Sequence, residues 1–280
     1  MPIRFDHKPG LVVYLTAGDP SLDATREIAM AAIDAGADVI ELGVPFSDPL
    51  ADGPIIQRAS ERALARGTRL KDVLALAGEI RAARPGAGLV IFSYLNPMLR
   101  YGLSKFADDA AAAGVDGVLA TDMIVEEAAE YLAELSRVNL APIFLAAPTS
   151  PDARLEAIAK YSKGFVYAIS RVGITGTQQS VAGDAAALVE RIRRYTRLPV
   201  AVGFGISNAE HVAQVAEFAD AAVIGSAIVA LVERTTRESG AEAAPGAVAR
   251  FIRDSLQPSA IGRQPFPAGA KHDTFDKVGD

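Results

Sequence analysis

The chain has 280 residues, half of them apolar and only 6% aromatic, with no tryptophan, so it can bury a large and mainly aliphatic core. A formal charge of −6 with pI near 5.2 argues against a general nucleic-acid or membrane-surface binder. Zero cysteines exclude disulfides, thiolate metal sites and a cysteine nucleophile, and the three histidines (His7, His211, His272) are too scattered to suggest a metal site or a Ser-His-Asp triad.

In chain order, the pattern predicts a strand over 11–16, a helix over 22–35, a strand over 38–42 and helices over 55–66 and 70–83. A strand over 89–94, a helix over 104–113, a strand over 117–120 and a helix over 125–137 follow. Then come strands over 141–145, 165–169, 200–203 and 222–224, separated by helices over 151–160, 185–195 and 209–218 and followed by one over 228–237. Most of these strands are apolar throughout, as parallel strands covered on both faces are. Ser150-Pro151 and Ser207-Asn208 read as helix starts. Ala35-Gly36-Ala37-Asp38 and Ala113-Gly114-Val115-Asp116 echo each other, each placing glycine after a helix and just before a strand. Eight strands with intervening helices predict an α/β fold, a (β/α)8 TIM barrel forming a single domain over 1–256. A doubly wound sheet is the alternative, weakened by the lack of G-x-G-x-x-G after the first strand. The proline- and glycine-containing stretch 257–280 lacks any period and is expected to be a flexible tail. No signal peptide is recognised and no apolar run reaches about 18 residues, so a cytoplasmic protein is expected.

The chemistry concentrates where strands end. Glu41 interrupts an apolar run, and a buried strand gains nothing from a carboxylate unless it is paired or kept neutral. The loop that follows, stiffened by Pro45, Pro49 and Pro54, carries Asp48 and Asp52. Acid–base work by Glu41 competes with pairing to a buried arginine, and a catalytic Asp52 competes with a helix cap before Pro54. Gly203-Phe204-Gly205-Ile206-Ser207-Asn208 and Ile224-Gly225-Ser226-Ala227 follow the last two strands, where barrels of this kind bind phosphate. Neither loop contains lysine or arginine, so an anion there would rest on backbone and hydroxyl donors. The long segment 170–180 is a lid or an ordinary surface loop. Tyr94 lines a pocket or fills core, Asn96 is expected outside helical geometry because Pro97 follows it, and Asp122 is a pocket carboxylate or a cap.

Leu15-Thr16-Ala17-Gly18-Asp19-Pro20, residues 41–54, Tyr94-Leu95-Asn96-Pro97, residues 170–176 and 203–207, and Gly225-Ser226 together resemble, in order and spacing, the alpha-subunit family of tryptophan synthase. The resemblance implies a carbon–carbon lyase that cleaves indole-3-glycerol phosphate to indole and glyceraldehyde 3-phosphate. It assigns Glu41 as the general acid–base and Asp52 as the group on the indole nitrogen. It implies Tyr94, Tyr167 and Phe204 near the indole and glycerol moieties, and Gly176, Gly205, Gly225 and Ser226 near the phosphate. Thr175 is expected on a closing loop within reach of Asp52. It implies a beta-subunit partner in an α2β2 assembly, contacted through Pro45, Asp48 and Asn96. Pyridoxal phosphate would belong to that partner, and this chain would need no metal or organic cofactor. Two features depart from the family pattern: only ten residues precede the first strand, where a short helix is usual, and Met123 follows Asp122 where a proline is common. A free-standing lyase or isomerase for a phosphorylated small molecule, and a non-catalytic phosphate-binding barrel, are the competing readings.

Overall fold

The computed structural model describes residues 3–5, 7–169, 178–203, 205–256 and 264–265, with backbone alone at 178–182 and 264–265. In chain order the first elements are β1 (His7–Lys8), β2 (Gly10–Thr16), α1 (Leu22–Asp34), β3 (Val39–Gly43), α2 (Pro54–Ala65), α3 (Leu70–Ala83) and β4 (Gly88–Ser93). Next come α4 (Leu95–Tyr101), α5 (Leu103–Ala112), β5 (Gly117–Ala120), α6 (Ala129–Arg137), β6 (Ala141–Ile143), β7 (Leu145–Ala146) and α7 (Asp152–Tyr161). The chain continues through β8 (Val166–Ile169), α8 (Gln178–Arg193), β9 (Val200–Gly203), α9 (Ala209–Ala216), β10 (Ala221–Ile224), α10 (Ser226–Ser239), α11 (Ala244–Ser255) and β11 (Gln264–Pro265).

Parallel pairing runs in the order β6-β5-β4-β3-β2-β10-β9-β8-β7. β6 and β7 are one strand interrupted at Phe144, whose carbonyl accepts the Tyr167 amide at 3.1 Å, so the sheet returns on itself as the expected barrel. The strand period of two separates the faces. Leu11, Val13, Leu15, Ile40, Leu42, Leu89 and Ile91 pack outward under the helices. Val12, Val39, Val90, Leu119, Tyr167, Ala201 and Val223 fill the interior. Glu41 shares its parity with Val39 and its register with Tyr14, so it faces inward.

The echoed Asp38 and Asp116 have a common job, which Asp220 repeats. Each carboxylate accepts a strand-start amide from the neighbouring parallel strand: Leu11 N at 2.7 Å, Leu89 N at 2.9 Å and Val200 N at 2.9 Å. Gly36 and Gly114 end their helices at φ of 113° and 74°, backbone that glycine tolerates without a Cβ penalty. The lower mouth of the barrel is closed by residues 3–5. Ile3 and Phe5 are buried with the interior cluster, and Phe5 meets Phe165 edge-on at 5.9 Å. Gly10 accommodates this plug, since a Cβ there would lie 2.2 Å from the Phe5 ring. Two side chains thus do the covering for which the sequence offered no helix.

Three local expectations change. Asn96 lies inside α4 rather than outside helical geometry: Pro97 falls in the first turn, where its missing N–H would have no intrahelical acceptor. Helix α11 was not among the predicted elements; its Pro245 sits at the first turn, where proline is tolerated, and the helix packs on α1 and α10. Helix α8 starts at Gln178, ahead of the expected 185. Of the proposed tail, only Gln264-Pro265 is described; it pairs antiparallel with His7-Lys8, and the rest lies outside the described residues. No described helix is long and apolar enough to cross a membrane.

Candidate active site

Glu41 is fully buried, and neither carboxylate oxygen has a hydrogen-bond partner among the described residues. No arginine among the described residues pairs with it, as a structural role would require. Desolvation pushes its pKa up to about 8, so it is mainly protonated at neutral pH.

Asp52 ends the loop after β3. It does not cap α2: the N-cap is Gly53, with no side-chain cap bond. Gln57 Nε2 instead donates to the Asp52 carbonyl at 2.8 Å. Burial raises the Asp52 pKa to about 6, opposed by a hydrogen bond from the Tyr94 hydroxyl. The Tyr94 oxygen accepts the Ala51 amide at 2.9 Å, which leaves its own proton for the carboxylate. The Tyr94 ring is buried against Phe46 at 5.2 Å. Tyr94 therefore stands behind Asp52 and fixes it, while other side chains form the cavity wall.

That wall encloses about 420 Å³ at the C-terminal mouth of the barrel. Glu41 and Asp52 line it together with Tyr14, Phe92, Ile55, Ile56 and Tyr167, a mostly apolar slot with a few directed polar groups. The tyrosines lie over glycines. A Cβ on Gly43 would come 2.2 Å from the Tyr14 hydroxyl, and one on Gly203 the same distance from that of Tyr167. Burial raises the pKa of both phenols, with Glu41 and Asp52 adding to the effect, so both remain neutral donors. Tyr14 escaped the sequence reading because a tyrosine in an apolar strand looks like core; its register with Glu41 was the available signal.

The far end of the cavity is lined by Gly205, Ile206, Gly225 and Ser226. Gly225 is the N-cap of α10 and supplies no side-chain bond, which leaves first-turn amides for a ligand. Gly205 turns at φ of 77°. Helices α2 and α10, which follow Asp52 and Gly225, are tied together through Glu233. It accepts Arg62 Nη1 at 2.7 Å and Arg58 Nη2 at 3.2 Å, and Arg62 also clasps Asp19 at 2.7 and 2.8 Å.

Thr175, Gly176 and Phe204 lie outside the described residues. Pro45 is buried, whereas Asp48 and Asn96 are exposed on the segments that follow β3 and β4. Asp122 is a cap, though of α4: its Oδ1 accepts the Leu95 amide at 2.7 Å.

The model of the family described as "Tryptophan synthase alpha chain" matches residues 3–253. A tryptophan synthase alpha chain from Solibacter usitatus is 50% identical over 240 residues, covering 86% of this chain and 90% of that one. One from Methylibium petroleiphilum is 46% identical over 260 residues, covering 93% and 95%. Among solved structures, the tryptophan synthase subunit alpha from Legionella pneumophila superposes with TM-score 0.83 at 34% identity, over 90% of this chain and 92% of that one. A structure of the tryptophan synthase a2b2 complex from Pyrococcus furiosus gives 0.82 at 37%, covering 90% and 99%.

Proposed function

This chain belongs to the tryptophan synthase alpha chain family, and from that membership and the cavity we propose how its residues divide the work. The reaction is cleavage of indole-3-glycerol phosphate to indole and glyceraldehyde 3-phosphate, carried out in partnership with a beta subunit. Glu41 is the general acid–base. Protonated at rest, it gives its proton to indole C3. The C3–side-chain bond then breaks, its electron pair returns to the ring system, and the ionised Glu41 takes the hydroxyl proton as the aldehyde forms. Each cycle restores the acid. Asp52, ionised at neutral pH, accepts the ring N–H and stabilises the positive charge that C3 protonation sends to nitrogen. The observation that carries this assignment is the pair of carboxylates in one cavity with pKa values held apart, about 8 and about 6.

Tyr167 and Phe204 flank the bicyclic ring and the glycerol chain, and Tyr94 acts through Asp52. Gly176, Gly205, Gly225 and Ser226 hold the phosphate by backbone and hydroxyl donors, and Thr175 closes over Asp52. The chemistry is proton transfer and calls for no metal or organic cofactor on this chain; pyridoxal phosphate belongs to the beta subunit. Asp48 and Asn96 face that partner in an α2β2 assembly, with buried Pro45 stiffening the loop that presents Asp48 rather than meeting the partner itself; residues 257–280 trail the catalytic domain, and the enzyme works in the cytoplasm. The test is release of indole from indole-3-glycerol phosphate, with and without added beta subunit. The parent should release indole, faster in the complex, and folded Glu41→Gln should release essentially none. Near-normal turnover by Glu41→Gln removes it from the mechanism.

A further inference from the structure

We propose that His211 is a positioning residue for phosphate binding, acting through the carbonyl of Gly205. The inference rests on the reading that Gly205 and Ser226 receive the phosphate. His211 lies in the first turn of α9, where the Asn208 side chain caps its amide at 2.9 Å. Its ring folds back over the preceding turn, with Nδ1 3.0 Å from the Gly205 carbonyl oxygen. A carbonyl only accepts, so this contact places a proton on Nδ1. The Ser207 amide, which can only donate, points at the same nitrogen from 3.4 Å and favours the other tautomer, and the Ser207 hydroxyl also lies at 3.4 Å; the shorter Gly205 contact outweighs both.

Gly205 lines the cavity in left-handed backbone, φ 77°. Glycine adopts such a turn without a Cβ penalty, so its own side chain does nothing to orient the peptide that it carries. No lysine or arginine lies in 203–208 or 224–227, so the anion depends on where backbone donors point rather than on a point charge. The imidazole, itself anchored on a capped helix, fixes that peptide from behind without touching the ligand.

Competition by inorganic phosphate against indole-3-glycerol phosphate, measured with the full chain in complex with the beta subunit, tests this. His211→Ala should raise both the phosphate inhibition constant and KM by about tenfold, the weight of one hydrogen bond, with kcat unchanged. His211→Asn, whose amide can donate from near the Nδ1 position, should stay within about twofold of the parent. Glu210→Ala, one residue away, should change nothing, which controls for loosening of α9. Unchanged inhibition and KM in His211→Ala overturn the proposal, as does a fall in kcat alone or equal impairment of the Ala and Asn variants. If phosphate does not compete in the parent enzyme, the phosphate reading of Gly205 falls first and takes this inference with it.

Discussion

Glu41 and Asp52 are chemically alike, and their surroundings give them opposite protonation states at pH 7. Glu41 meets only desolvation, whereas Asp52 keeps the Tyr94 hydroxyl. Catalysis needs the first protonated and the second ionised, so kcat/KM should trace a bell with limbs near pH 6 and pH 8. Asp52→Asn should lose most activity, and the acid limb should vanish from whatever remains; an unchanged acid limb would assign that titration elsewhere. Burial of Glu41 also acts on stability. Its folded pKa is raised, so the folded state holds a proton that the unfolded state releases between about pH 4.5 and 8. Stability therefore falls as pH rises through that window. Glu41→Gln, which cannot ionise, should melt higher than the parent at pH 8, by on the order of a few kcal/mol, and close to it at pH 4.5. A melting difference independent of pH would show that burial does not strain the carboxylate. Glu41 was legible in the sequence because an ionisable group in an apolar run demands an explanation. Tyr14 was not, since only strand register reveals that it shares Glu41's side of the barrel wall.

At the scale of elements, strands and most helices were legible from apolar runs and glycine stops, because parallel strands buried on both faces leave a plain signal. Failures came where position within an element reverses a residue's meaning. Pro97 was read as holding Asn96 out of a helix, yet it sits in a first turn, where proline is tolerated, as Pro245 does in the unpredicted α11. Ile3 and Phe5 carry no periodicity, so nothing marked them as the plug beneath Val12 and Phe165. Phe5→Ala should cost roughly 3–5 kcal/mol of stability in urea denaturation, because the barrel rim cannot collapse into the space left. KM should hardly move, since the active cavity opens at the opposite end. A cost below about 1 kcal/mol would mean that the plug is not anchored.

At the scale of the whole molecule, the three most exposed large apolar side chains among the described residues, Leu50, Leu99 and Ile124, sit on the segments after β3, β4 and β5, at the same mouth as the catalytic carboxylates. Solvent-facing apolar residues grouped in this way mark a docking surface, and the beta subunit is the partner that fits. Leu50→Asp should weaken the complex at least tenfold by titration calorimetry while sparing the indole released by the isolated chain. Undiminished affinity would place the contact elsewhere on the rim. The partner could be read from the family resemblance, but the surface could not, because loop order along the chain does not say which side chains turn to water.

The plug at Ile3 and Phe5 makes the reaction chamber a cul-de-sac. Among the described residues the chamber opens toward the rim on which the beta subunit would rest. A seated partner then decides which molecule leaves: indole is the smaller and uncharged fragment and can slip forward into the neighbouring protein.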